Sequence, residues 1–328
     1  MTEFYDSVDS TTNQGEENKF VNRALTPYPE PFLSGKKLEG GIQLWNPATE
    51  TGLTLNTIDS NNVVWVVSDI EGWWTLPEVE LPDLPRGWGD GSYDAIGRWS
   101  NRIMTLSGSF MPQEPEDAAA ARATLLDYLS PMVKTTTSGY LIVTEDGTNK
   151  RAAKVRLSGA PQITSVNARG RHNFSIGLKA VDPIKYEFVD GDPDGYQSTT
   201  ITESSGSGST TITNSGNTPV PIIIELSLGF SIPSSANPPT ITNTTSDKSI
   251  SIIGATVSDK RLELDTYNRE VLEVQYSGSS VVNVANGRSK VAVLVDWIYL
   301  QPGSNTITIQ DFPTGGSATI YYRSGWIG

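Results

Sequence analysis

About ten short β-prone runs, spaced 8–12 residues apart over the last third of the chain, narrow the possible folds more than any other feature. They include PIIIELSL, PTITNT, SISII, RLELDT, EVLEVQYS, SVVNVA, KVAVLVDWIYL, NTITI and SATIYYR. Turn-forming phrases (NPP, SDK, PGSN, PTGGS) fall between them. Strands this short, with glycine and proline at regular intervals, cannot form a parallel α/β sheet and predict an antiparallel β-sandwich.

The middle of the chain is also strand-rich but contains one helix. GIQLW (41–45), TGLTLNT (51–57) and VVWVVS (63–68) are strand-like, and RIMTLSGSFM (102–111) places Ile103, Leu106 and Phe110 near one rhythm. The segment PEDAAAARATLLDYLSP predicts the helix. Pro115 suits a first turn, Glu116 and Asp117 complement the positive end of the helix dipole, and Pro131 ends it. Ala118, Ala121, Leu125 and Leu129 share a stripe at helical spacing. A hairpin turning at Asp146-Gly147 and a further strand, HNFSIGLKAVDP, complete the unit. Between Glu71 and Gly91 runs EGWWTLPEVELPDLPRGWGDG, whose prolines and glycines exclude a continuous ladder or helix. DGDPDG and the Ser/Gly/Thr stretch that follows mark a seam near residues 190–218, where TTIT at 199–202 and 210–213 predicts a small hairpin around SSGSGS. The expected division is an acidic N-terminal arm (1–39), an α+β domain (40–195) and a β-sandwich (196–328).

Charge and composition limit the function. The net charge is -13, and residues 1–196 hold 27 acidic against 17 basic side chains. This balance argues against gripping a nucleic-acid backbone or an anionic membrane, which needs basic stripes. No cysteine is present, so disulfides, zinc thiolates and thiol catalysis are excluded. The first residues, MTEFYDSVDS, lack the apolar stretch of a secretory leader, and no run is long enough to span a bilayer. A soluble chain without membrane insertion is expected.

Candidate chemistry is sparse. The one histidine, His172, follows Arg169 and Arg171 in a strand pattern, with no G-x-S-x-G elbow anywhere in the chain. Glu71, Glu78, Glu80, Asp83, Asp90 and Asp94 sit in a tryptophan-rich stretch, but no spacing separates an acid from a base, and solvated loop carboxylates are the commoner case. Asp190, Asp192 and Asp194 match the first half of a calcium loop. Ile201 occupies the position of the bidentate glutamate, so an acidic turn is preferred to a metal site. The reading is therefore of no enzyme and no cofactor. Six of the eight tryptophans fall between 45 and 99. Trp45 and Trp65 sit in strand patterns and are expected in the core, whereas Trp73, Trp74 and Trp88 lie in the Pro/Gly loop. Burial at a subunit interface is preferred for those three over glycan stacking.

Several phrases together resemble the distal tail protein family of siphophages. GWGDGSYDAIGRWSNRIMTLSGSF is similar to that family's loop-then-strand passage, at Asp90, Gly91, Arg98, Arg102, Leu106 and Gly108. The return strands end on a D-P-x-x-Y pattern at Asp182, Pro183 and Tyr186. NSGNTPVPIIIELSL, LELDTYNREV and WIYLQPGSNTITI resemble phrases of the C-terminal sandwich, the last at Trp297, Leu300, Pro302, Gly303, Asn305 and Ile307. The resemblance implies a mainly β chain: a tail-tube-like β-sandwich or split barrel with one helix, then a galectin- or jelly-roll-like sandwich. It further implies a hexameric ring at the virion tail tip, assembled in the host cytoplasm, with the tail-tube protein above and tail-tip or fibre proteins below. DNA would pass through an acidic channel without specific binding. Arg98 and Arg102 join Trp73, Trp74 and Trp88 as candidate interface residues. The competing readings are a carbohydrate-binding tail adhesin that takes host glycan on the sandwich, through Tyr276, Trp297, Tyr299, Tyr321, Tyr322 or Trp326, and a polysaccharide-degrading tail enzyme.

Overall fold

The computed structural model describes residues 41–328 apart from 82–83, 86–91, 94–96, 134–137, 146, 167–169, 190, 228–237, 255–259, 278–279 and 293–295. Residues Glu39–Gly328 belong to one compact unit. Its first half is an antiparallel sheet folded over on itself. The strands are β1 (Ile42–Asn46), β2 (Thr51–Leu55), β3 (Thr57–Ile58), β4 (Val63–Glu71), β5 (Arg102–Pro112), β6 (Gly139–Glu145), β7 (Asn149–Leu157), β8 (Gln162–Ser165), β9 (His172–Ala180) and β10 (Lys185–Glu187). Along the sheet the order is β2-β1-β6-β7-β9-β5-β4-β3. Strand β7 pairs with β6 from Asn149 to Val155 and with β9 only at Arg156 and Leu157. It therefore joins two half-sheets that face each other, as a split barrel requires.

Alternation explains the core. Ile42 and Leu44 of β1, Leu53 and Leu55 of β2, and Val63, Trp65 and Val67 of β4 all point inward and are buried. On β5 the inward set is Met104, Leu106 and Phe110, while Ile103 faces out, so the expected grouping of Ile103 with Leu106 and Phe110 fails by the two-residue period. Gly108 is required on this strand, because a Cβ there would lie 2.2 Å from the Val66 carbonyl oxygen and 2.5 Å from the Phe174 ring. The predicted helix is α1 (Ala118–Leu129). Ala121, Leu125 and Leu129 are buried and Ala118 half-buried, and the helix lies against β1, β2 and β5.

The second half is the expected sandwich. Its strands are β11 (Gln197–Thr202), β12 (Ser207–Asn214), β13 (Val220–Pro221), β14 (Ile223–Ser227), β15 (Thr240–Asn243), β16 (Lys248–Ser251), β17 (Lys260–Asp265), β18 (Glu270–Ser277), β19 (Ser280–Asn286), β20 (Tyr299–Leu300), β21 (Gly303–Gln310), β22 (Ser317–Tyr322) and β23 (Gly325–Trp326). One sheet runs β11-β22-β14-β17-β18-β19 and the facing sheet β12-β21-β15-β16. Ile224, Leu226, Leu262, Leu264, Ile307, Ile309 and Ile320 fill the space between them. Each fully buried side chain of this kind stabilises the fold by about 1.5–3 kcal/mol.

The two TTIT segments do not form the expected hairpin ladder. β11 pairs with β22 and β12 with β21, so the link at Ser205 and Gly206, both at positive φ, carries the chain from one sheet to the other. The last strand leaves the sandwich altogether. β23 pairs with β10, adding Gly325 and Trp326 to the first sheet. Gly216 lets it pass, since a Cβ at that position would overlap the Gly325 carbonyl oxygen at 1.7 Å.

Candidate assembly interface

At the base of the loop that follows β4, one arginine gathers three distant stretches of backbone. Arg102, 1% exposed, donates from Nε to the Pro183 carbonyl at 3.0 Å. Its Nη1 donates to the carbonyls of Gly72 at 2.8 Å, Trp73 at 3.3 Å and Thr75 at 2.7 Å. Its Nη2 donates to the Ile327 carbonyl at 2.6 Å. A planar guanidinium offers a fork of fixed donors, and here carbonyl dipoles rather than a carboxylate satisfy it. Burial lowers its pKa from the ordinary guanidinium range.

A second buried cation completes the junction. Lys185 is fully buried. Its Nζ donates to the Trp73 carbonyl at 3.0 Å, lies 3.7 Å from Glu145 Oε1, and stands 4.9 Å from the centre of the Trp73 ring. Trp73 Nε1 donates to the same Glu145 oxygen at 2.9 Å, and Arg151 pairs with the other. Desolvation pulls the Lys185 pKa down to about 8, although Glu145 opposes the shift. Arg151 also lies over the Trp326 ring, 4.2 Å from its centre, so the C-terminal strand is held from both sides.

This junction corrects two sequence expectations. Trp73 is fully buried within its own chain, and Arg102 lies beneath it. Neither offers a side chain to another subunit, because the polar ends of both are satisfied internally. Trp88 lies outside the described residues. Trp74, 41% exposed, and Arg98, also exposed, remain at the surface.

Beyond the junction the loop rises as a narrow arm. Val79 pairs with Trp99 and Glu80 with Arg98, and a second short ladder pairs Leu84–Pro85 with Ser92–Tyr93. Ser100 fastens the arm's base, its N–H donating to the Glu78 carbonyl and its Oγ to Glu80 Oε1. Prolines keep these ladders short, as expected, but do not prevent them. The arm's apolar side chains have no third layer over them: Leu76 (59%), Val79 (45%), Leu81 (62%) and Trp99 (43%) are all exposed. Several exposed apolar side chains on one short segment mark a candidate interaction surface. Leu76, Leu81 and Trp99 went unremarked in the sequence because the arm has neither a helical nor a strand period. Lys185 was legible only as a lone cation inside the apolar phrase DPIKYEF.

The other candidates find local roles. Asp190 lies outside the described residues. Asp192 accepts the Asp194 N–H at 2.8 Å, and the Asp194 carboxylate accepts the Tyr140 hydroxyl. Among the described residues no group of three or more His, Asp or Glu side chains is placed to hold a metal. His172 stacks on Phe110, with ring centres 5.1 Å apart, and its Nδ1 lies 2.9 Å from the Gly170 carbonyl. In the D-P-x-x-Y pattern, Asp182 accepts the Ile184 N–H at 3.0 Å and the Tyr186 hydroxyl at 2.8 Å, while Pro183 supplies the carbonyl for Arg102. Of the aromatics proposed as a glycan platform, Trp297 and Tyr322 pack against the sandwich core. Tyr299 donates to the Thr266 carbonyl, and Tyr276 and Trp326 lie under arginines.

Comparison with known proteins agrees with this architecture. Residues 215–326 match the family described as siphovirus-type tail component, C-terminal domain. The fold resembles that of Dit (gp 19.1) of phage SPP1, described as a paradigm of the hub adsorption apparatus of phages infecting Gram-positive bacteria. The TM-score is 0.53 at 15% identity, over 87% of this chain and 98% of that one. Chains of the phage p2 baseplate in its activated conformation, with Ca and with Sr, align at TM-scores of 0.43 and 0.45 and 7% identity. These cover 87% and 86% of this chain and 98% of each of theirs. No curated protein matches the sequence. The C-terminal third of the chain thus carries a siphovirus-type tail component domain, and the whole resembles the SPP1 protein in fold.

Proposed function

We propose that the chain is a non-enzymatic distal tail protein that closes into a hexameric ring at the virion tail tip. The ring joins the tail tube to baseplate or fibre proteins and leaves an acidic channel for DNA. What carries the proposal is the order of the parts: the tail-component domain at 215–326 ends a chain that spans 98% of the Dit structure. Two observations support the finer reading. The exposed apolar arm supplies a heterologous contact, which rotational symmetry repeats at every subunit boundary. The excess of acid in residues 1–196 suits a conduit that must not bind the DNA it passes.

The experiment is negative-stain imaging with light scattering of the full chain, alone and with Leu76, Leu81 and Trp99 replaced by serine. A ring with a central hole is expected for the unaltered protein, and folded monomers for the triple variant. A wild-type preparation that stays monomeric at tens of micromolar overturns the ring. A triple variant that still assembles moves the contact away from the arm.

A further inference from the structure

A cavity of about 420 Å³ lies between the first sheet and the rim of the sandwich. Tyr140 and Lys154 of β6 and β7 form one wall, Ile223 and the turn at Tyr267 and Asn268 the opposite one, and Arg323 lies between. Its size falls in the range of small-ligand sites, about 300–1,000 Å³. Neither the arm nor the buried junction contributes to it, so the inference stands apart from ring assembly.

The lining is rigid before any ligand arrives. Arg323 is held between the rings of Tyr186 and Tyr196, 4.3 and 4.5 Å from their centres. It donates to the Pro193 carbonyl at 3.0 Å and lies 3.6 Å from Asp194. Asp194 also accepts the Tyr140 hydroxyl, and Asp182 accepts that of Tyr186. Burial and these carboxylates raise the pKa of both tyrosines, which keeps them neutral donors. Preorganisation of this kind lowers the ordering cost of binding.

The chemistry of the lining selects the ligand. Three carboxylates (Asp182, Asp194, Asp265) face three cations (Lys154, Arg156, Arg323), so the wall favours neither a polyanion nor a polycation. The capacity left at the opening is mixed. Lys154 reaches Asp194 only at 3.4 Å and keeps donors to spare. Asn268 spends its Nδ2 on Asp265 at 2.7 Å, leaving its Oδ1 as an acceptor. Tyr267 stands at the rim, 55% exposed, and offers an aromatic ring. Donors, acceptors and aromatic faces around a charge-balanced hollow match a ring that bears hydroxyls on its edge and C–H bonds on its faces. We propose that this cavity binds a neutral saccharide of one or two rings, with Tyr267 as the stacking platform and Lys154 and Asn268 as hydroxyl partners.

Saturation-transfer NMR on the full chain tests this. The probes are the methyl glycosides of glucose, galactose and N-acetylglucosamine, with glycerol 3-phosphate and arginine amide as charged probes. Transfer to the ring protons of at least one glycoside is expected, weakened about tenfold or lost in both Tyr267→Ala and Lys154→Ala. It should be unchanged in Val282→Ser, on the exposed strand β19. Both test positions are solvent-facing, and a thermal melt checks that each variant folds; Tyr267→Ser replaces any that does not. The proposal fails if no glycoside gives transfer, if only a charged probe binds, or if glycoside binding keeps its wild-type strength in both variants.

Discussion

The two halves of the molecule bury polar groups of opposite kinds. In the sandwich these are neutral amides and hydroxyls: Asn214, Asn243, Asn305 and Thr266 are fully buried, and each sits beside a turn yet also bonds a distant segment, Asn214 to Leu300, Asn243 to Tyr299 and Asn305, and Thr266 to Ile222. Asn305, for example, accepts the Gln301 N–H and donates to the carbonyls of Gln301 and Gly303. In the first sheet they include ions, Arg102, Glu145 and Lys185, most of whose partners lie far away in sequence. A neutral amide costs little to bury once it is hydrogen-bonded. A buried ion is tolerable only when several segments converge on it, because its desolvation penalty must be met by many dipoles at once. Both halves therefore depend on long-range closure, but only the first stakes buried charge on it.

The sharpest way to break that contrast is at the ions. Arg102→Met should cost about 3–5 kcal/mol, because five carbonyls lose their donor and the Gly72–Thr75 backbone loses its anchor to Ile327. Asn305→Ala should cost less, about 1–3 kcal/mol. Denaturant unfolding of both variants gives the ranking, and a reversed order contradicts the comparison. Leu125→Ala, which leaves a cavity beneath α1, should cost about 2–5 kcal/mol. A change under about 0.5 kcal/mol, the usual surface range, would mean that the helix does not pack as described.

Lys185 allows a finer test through pH. Its folded pKa of about 8 lies below the ordinary 10.5. Below pH 8 the ammonium is charged in both folded and unfolded chains, and its burial penalty is fully present. Between pH 8 and about 10 the folded chain has released this proton while the unfolded chain keeps it, so stability from this site rises with pH. Above pH 10 the raised tyrosines, Tyr140 and Tyr186, act in the opposite direction. Subtracting the profile of Lys185→Met should isolate a rise of up to about 1.4 kcal/mol per pH unit. A flat difference would show that the ammonium is not desolvated.

The smallest expected effect concerns the seam. Limited proteolysis should cut near residues 190–200 or in the Ser/Gly link, yet the fragments should co-elute, since β23 and the Arg102–Ile327 bond hold the C-terminus on the first sheet. In Arg102→Met the nicked halves should separate. Co-elution in both would leave the β10–β23 pairing as the sufficient clasp.

The sequence by itself determined whatever depends on neighbours in the chain. Turn residues at intervals of 8–12 dictated the sandwich strands, and the period of Ala121, Leu125 and Leu129 dictated a helix with one buried face. Asn305 is two residues after Gly303, a turn glycine at positive φ, and fixes that turn, while its bond from Asn243 reaches 62 residues back. Tertiary structure alone decided what depends on meeting points. Trp73 belongs to the interior because Glu145, 72 residues on, and Lys185, 112 residues on, converge there to satisfy its indole and its carbonyl. Arg102 is a clasp rather than an interface residue because Ile327, 225 residues away, returns to it. The two TTIT segments look like hairpin partners but lie in opposite sheets, since strand order is set by the core they share and not by their likeness. Local propensity fixes which segments are strands. Only the closure of the chain fixes which polar groups each strand must satisfy.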